Sequence, residues 1–246
     1  MGTRTSVWRR NVMGAGVLCI LGDSVLKGIQ WDEASSRHVT RNELGWDEIA
    51  DRAGMKVENL SKFGCTVTKA WDFVQKRMSN GFLKCMPDMV VMDFGGNDSD
   101  FNWKAVSDKP LDVHDPNTDI STFIGTYETM LDAMVKNGVK PVITTLVPVQ
   151  SEKYFEWFCR NMNLDRASVM SWLGVVERIE HFQLTYSEAV QGIAAGREIP
   201  LVDIRKAFES ERGSDLMCSD GIHPNTNGQH LIHECFDAFM GDCLTF

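Results

Sequence analysis

Short apolar runs alternate with helix-patterned stretches along most of this chain, and that alternation restricts it to an α/β fold. Val17–Leu21, Lys56–Leu60, Met89–Phe94, Pro141–Thr145 and Ile199–Val202 read as strands. They are short, apolar on both faces and separated by helical patterns, as the strands of a buried parallel sheet are. Thr126 to Lys136 places Tyr127, Met130, Leu131 and Met134 on one helical face. Thr226 to Phe239 does the same with Leu231, Ile232, Cys235, Phe236 and Phe239, and Asn227-Gly228 points to a slightly later start. The 246 residues suffice for one such domain with a sizeable core. No repeat, low-complexity tract or clear linker divides them, so residues 1–246 read as a single domain.

Charge and composition exclude several classes. A net charge of -9 with pI near 5.2, and no compensating basic face, argues against nucleic acid as a partner. Val17–Leu21 is too short to span a membrane, so no stable insertion is expected. Arg9 and Arg10 before the apolar run imitate a signal peptide. That reading is rejected, because the run leads directly into Gly22-Asp23-Ser24 and cleavage there would remove the strand that presents Ser24. The seven cysteines form no Cys-x-x-Cys pair, which disfavours a zinc knuckle or redox motif. Cys19 and Cys235 sit in apolar segments and read as reduced, packed thiols, pointing to a cytoplasmic location.

Several short stretches can be assembled into one acyl-transfer site. Ser24, directly after the first strand and at the apparent start of a helix, is a candidate nucleophile. His223, in a Gly-Ile-His-Pro-Asn loop before the last helix, is a candidate base, with Asp220 three residues earlier to orient its ring. Gly64 could offer an unobstructed backbone N–H and Asn97 a side-chain amide to an oxyanion. Gly95 and Gly96 allow a sharp turn before Asn97. Each has a plainer reading. Asp23 or Ser24 could cap a helix, Asn97 could belong to an ordinary turn that Asp98 stabilises, and Gly64 could be a loop glycine. The complete set, in order and at strand ends, outweighs those readings.

The remaining histidines, His38, His114, His181, His230 and His233, have no comparable sequence setting. Two long connections, Ser99 to Thr122 and Gln150 to Asp165, leave the carboxyl ends of strands and are candidate substrate walls. Their aromatics, with Trp103 and Trp157 foremost, could stack on a sugar or line an acyl pocket, or simply pack. Asp23 is a further candidate substrate contact. No Gly-x-Ser-x-Gly elbow, P-loop or His-Glu-x-x-His occurs. Gly14-Ala15-Gly16 precedes its strand, the wrong place for a dinucleotide loop.

These residues resemble the SGNH hydrolases, the GDSL-type esterases and lipases. Gly22-Asp23-Ser24-Val25 is similar to the first block, with Val for the usual Leu. Gly64 matches the second block, Gly96-Asn97-Asp98 the third and Asp220-Gly-Ile-His223 the last. The resemblance implies a three-layer α/β/α sandwich with a five-stranded parallel sheet in flavodoxin-like order. It also implies Ser24 as nucleophile, His223 as base, Asp220 as its partner, and an oxyanion hole of Ser24, Gly64 and Asn97. No metal or organic cofactor is expected.

The leading expectation is therefore a serine esterase acting on small-molecule acyl esters, acetylated carbohydrate first, because the loops are polar with scattered aromatics. The alternatives are a lysophospholipase- or thioesterase-type acyl hydrolase and a non-catalytic binding module on the same fold.

Overall fold

The computed structural model describes residues 16–79, 87–211 and 213–244. Arg9, Arg10, Gly14 and Ala15, and with them most of the signal-like segment, lie outside the described residues. In chain order, β1 (Gly16–Gly22) leads to a hairpin of β2 (Ile29–Asp32) and β3 (Arg37–Thr40). Then come α1 (Trp46–Arg52), β4 (Met55–Asn59), α2 (Val67–Ser79), β5 (Met89–Asp93), α3 (Trp103–Asp108) and α4 (Ile120–Lys136). β6 (Lys140–Thr144), α5 (Ser151–Asn161), α6 (Arg166–Leu173) and α7 (Arg178–Arg197) follow. The chain closes with β7 (Leu201–Val202), α8 (Ile204–Ser210) and α9 (Thr226–Leu244).

The sheet is five-stranded and all parallel, in the order β4-β1-β5-β6-β7. Numbering only these strands in chain order gives 2-1-3-4-5, the flavodoxin-like arrangement, whose ligand crevice opens where β1 and β5 diverge. The pleat divides the apolar runs between two cores. Cys19, Leu21, Val90 and Met92 face α2, α4 and α7, while Leu18, Ile20, Met89 and Val91 face α1, α8 and α9. This is the α/β/α sandwich expected from the sequence. Among the described residues, no helix is long and apolar enough to cross a membrane.

Three local expectations change. No regular helix follows Ser24. A single turn, with Lys27 N–H bonded to the Asp23 carbonyl, ends at Gly28. Gly28 has φ +77°, and a Cβ there would lie 2.3 Å from the Arg41 carbonyl oxygen, so the chain turns back into the β2–β3 hairpin. Second, Gln150 to Asp165 is mostly helix. Tyr154, Phe155, Phe158 and Cys159 form its buried face, packed with Phe101 and Trp103 in a third cluster above the strand ends. Third, α9 starts at Thr226, ahead of Asn227-Gly228.

Candidate active site

Ser24 follows the carboxyl end of β1 and is buried. Its Oγ lies 2.9 Å from Nε2 of His223, whose Nδ1 lies 2.6 Å from Oδ2 of Asp220. The three side chains, from opposite ends of the chain, form one hydrogen-bonded line. Asp220 is fully buried, and its Oδ1 accepts the backbone N–H groups of Ile222 and His223 at 3.2 and 3.1 Å. Gly221 makes that tight loop feasible. It has φ +75°, and a Cβ would stand 2.6 Å from the Tyr154 nitrogen, so any other residue would push the loop off the start of α5.

The loop after β5 supplies the facing wall. Asn97 donates its side-chain amide to Asp23 Oδ2 at 2.7 Å, and Asp23 Oδ1 accepts the Val25 N–H at 2.8 Å. Asp23 thus caps the turn under Ser24 and also fixes the Asn97 amide. Asp98 is buried and takes the Val67 N–H on both oxygens, at 3.0 and 3.2 Å. It ties the Asn97 loop to the start of α2, three residues beyond Gly64. Among the described residues, the N–H groups of Ser24 and Gly64 donate to no protein acceptor.

A cavity of about 80 Å³ adjoins Ser24 and His223. Asp93, Gly96, Asn97, Leu146, Val147 and Phe182 are among its walls, as are Asp23 and Trp103. Trp103 is mostly committed to packing. Its ring stacks on Phe158 at 4.4 Å and its Nε1 donates to Asp100 at 2.8 Å. Trp157 and Gly64 lie outside this cavity's lining. Trp157 belongs to an aromatic group with Trp31 and His38, at 5.3 and 5.6 Å between ring centres.

The site is rich in buried acid. Burial pushes the carboxyls of Asp23, Asp98 and Asp100 up to about 6, against the hydrogen bonds each accepts. Burial and the neighbouring Asp23 charge also push Asp93 well above the ordinary range. Asp220 differs. Burial pushes it up, but hydrogen bonds from His223 and His38 outweigh that and hold it well below the ordinary carboxylate range.

Sequence reasoning overlooked three residues here, His38, Phe63 and Asp93, while Asp100 lies in the connection read as a substrate wall. His38, dismissed on its sequence setting, has Nε2 3.2 Å from Asp220 Oδ2 and its ring 4.7 Å from that of His223. Phe63 stacks on His223 at 6.0 Å and is 55% exposed. Asp93 and Asp100 line the cavity. An acidic residue ending a buried strand is a readable signal for Asp93, whereas nothing local marks His38. His38, Asp220 and His223 also bring ligand-type atoms within 4.8 Å of one another, but those atoms are engaged as each other's hydrogen-bond partners.

A hydroxyl bonded to an imidazole, itself held by a buried carboxylate, can lose its proton to the ring as it attacks a carbonyl carbon. The model of the GDSL-like Lipase/Acylhydrolase family matches residues 20–231. The chain belongs to this family. It is thereby placed in a class of carboxylic ester hydrolases. Family-like folds recur among solved structures. A lipase/acylhydrolase from Enterococcus faecalis is 20% identical, with a TM-score of 0.59 over 92% of this chain and 96% of that one. A catalytic mutant of an acetylxylan esterase from Geobacillus stearothermophilus is 16% identical, with a TM-score of 0.62 over 93% and 96%. An α/β hydrolase from the metagenome of Lake Arreo, Spain, is 20% identical, with a TM-score of 0.63 over 94% and 98%. At these identities the likeness is one of fold. No curated protein sequence matches the chain significantly.

Proposed function

We propose that the chain is a serine esterase that hydrolyses short acyl esters, acetyl esters first, with Ser24, His223 and Asp220 as its triad. The observation that carries this reading is the line of 2.9 and 2.6 Å contacts from Ser24 through His223 to Asp220, opening on a small cavity. Ser24 Oγ attacks the ester carbonyl carbon while His223 Nε2 takes its proton. Asp220 holds the Nδ1–H and stabilises the imidazolium. The N–H groups of Ser24 and Gly64 and the Asn97 amide receive the oxyanion. His223 then hands its proton to the departing alcohol oxygen. Water, activated by the same nitrogen, releases the acyl group from Ser24.

Cavity size supports a short acyl chain. About 80 Å³ exceeds one water's share of about 30 Å³ but falls short of the about 150 Å³ that accommodates benzene. Acetyl or propionyl fits within such a space, and an octanoyl chain would extend beyond it. On the alcohol side, the half-exposed Phe63 ring lies beside His223, which must reach the leaving oxygen. A flat ring there suits a cyclic alcohol such as a sugar, and acetylated carbohydrate is the substrate class we favour. The acetylxylan esterase among the fold neighbours is consistent with this choice.

The test is kcat/KM over a series of 4-nitrophenyl esters from acetyl to decanoyl, followed by acetylated monosaccharides. A maximum at acetyl or propionyl is expected. A value that climbs steadily with chain length would replace this reading with a lipase- or thioesterase-type one.

A further inference from the structure

Asp220 receives more than its partnership with His223 requires. Backbone N–H groups of Ile222 and His223 approach Oδ1, while His223 Nδ1 and His38 Nε2 approach Oδ2. An ionised carboxylate has about four lone-pair sites and no proton to give. Four donors therefore complete it, in a position with no exposure to water. Without His38, one acceptor site on the buried carboxylate would lose its protein donor. The same count fixes the tautomer of His38. Facing an acceptor, Nε2 must carry the proton.

The ring of His38 is held for this contact. It extends from β3, where His38 pairs with Trp31 across the hairpin. Trp31 meets it edge-on at 5.0 Å, Phe63 at 5.0 Å and Trp157 at 5.6 Å. The hairpin lies outside the five-stranded sheet, so the central fold does not depend on it for strand pairing. The hairpin also meets the catalytic line through the Ile29 N–H, which donates to the Ser24 carbonyl at 3.0 Å, but His38 is the hairpin side chain that reaches Asp220, 182 positions away.

We propose that His38 is a positioning residue for ester hydrolysis, donating from Nε2 to Asp220 Oδ2 and so anchoring the carboxylate that aims His223. The inference rests on reading Ser24, His223 and Asp220 as the triad. His38 is not itself among the residues lining the acyl cavity; besides Asp220 it meets the triad at His223, edge-on at 4.7 Å between ring centres, so its effect passes through these two residues. A carboxylate free to swing would leave His223 less often aligned with Ser24. The chemical step would slow, and ester binding would be unchanged.

Three variants separate the donor from the ring. His38→Phe keeps an aromatic side chain against Trp31, Phe63 and Trp157 but removes the N–H. His38→Ala removes both without adding bulk. His38→Gln places an amide nitrogen near the position of Nε2. With 4-nitrophenyl acetate, the Phe and Ala variants should lose roughly 10- to 100-fold in kcat, the range for a hydrogen bond to a charged group, with KM within about twofold. The Gln variant should recover most of that loss. The low-field proton resonance of His223 Nδ1–H should shift or broaden in the Phe and Ala variants and be retained in the Gln variant. Wild-type kcat in the Phe and Ala variants, equal losses in all three, or a loss confined to KM would overturn the proposal. A wild-type chain with no esterase turnover would instead overturn the triad reading beneath it.

Discussion

The side-chain amide of Asn97 donates to the carboxylate of Asp23 at 2.7 Å, across 74 positions of sequence. One amide hydrogen is thereby committed and the plane of the group is set. In the proposed mechanism this holds the Asn97 amide oriented before substrate arrives, as electrostatic stabilisation of a developing charge requires. Asn97→Ala should lower kcat by roughly 10²- to 10³-fold with KM little changed. Steady-state kinetics on a short-chain ester decides it. A raised KM with unchanged kcat would make Asn97 a ground-state contact.

Acyl-chain preference should respond to one wall of the cavity. Phe182 lines it, is half-buried, and packs on Phe101 at 4.8 Å. Phe182→Ala should open the floor and move the best substrate from acetyl or propionyl toward butyryl or hexanoyl. The ratio of kcat/KM for hexanoyl to acetyl esters measures the shift. An unchanged ratio would place the acyl group elsewhere.

Much of this was legible in the sequence, and the failures have physical causes. The strand read as Val17–Leu21 is Gly16–Gly22, and Met89–Phe94 is Met89–Asp93, because buried parallel strands are apolar throughout and interrupted cleanly. The hairpin was not legible. β3 is Arg-His-Val-Thr with both ends exposed, so no apolar alternation marks it. The α5 segment looked like a loop of aromatics, since its apolar face serves a satellite core above the sheet. Ser24, Asn97, Asp220 and His223 stand in short motifs whose chemistry is local. His38 stands in none, and its meaning comes only from a partner 182 positions away.

Acid should stabilise this protein before it denatures it. Burial pushes Asp23, Asp98 and Asp100 up to about 6, and Asp93 upward too. In the unfolded chain an aspartate titrates near ~4. Between those values the folded state binds more protons than the unfolded one, so these groups make stability rise as pH falls from about 7 to about 5. Asp220 has the opposite sign. Burial pushes it up, the His223 and His38 hydrogen bonds outweigh that, and its carboxyl lies well below the ordinary range. Its contribution is complete above the unfolded value and is lost only as pH falls below about 4. Calorimetric Tm should therefore be higher at pH 5 than at pH 7.5 and drop in stronger acid, and Asp98→Asn should flatten the rise. A Tm that declines steadily from pH 7.5 to pH 5 contradicts this assignment of the buried carboxyls.

The central claim is that Ser24 is the nucleophile of an acyl-enzyme. The most direct measurement is treatment of the folded protein with a fluorophosphonate, followed by mass spectrometry of its peptides. One stoichiometric adduct on Ser24 is predicted, with esterase activity lost in step with labelling and no adduct in a folded Ser24→Ala variant. An adduct on another residue, or wild-type turnover by folded Ser24→Ala, would contradict the account.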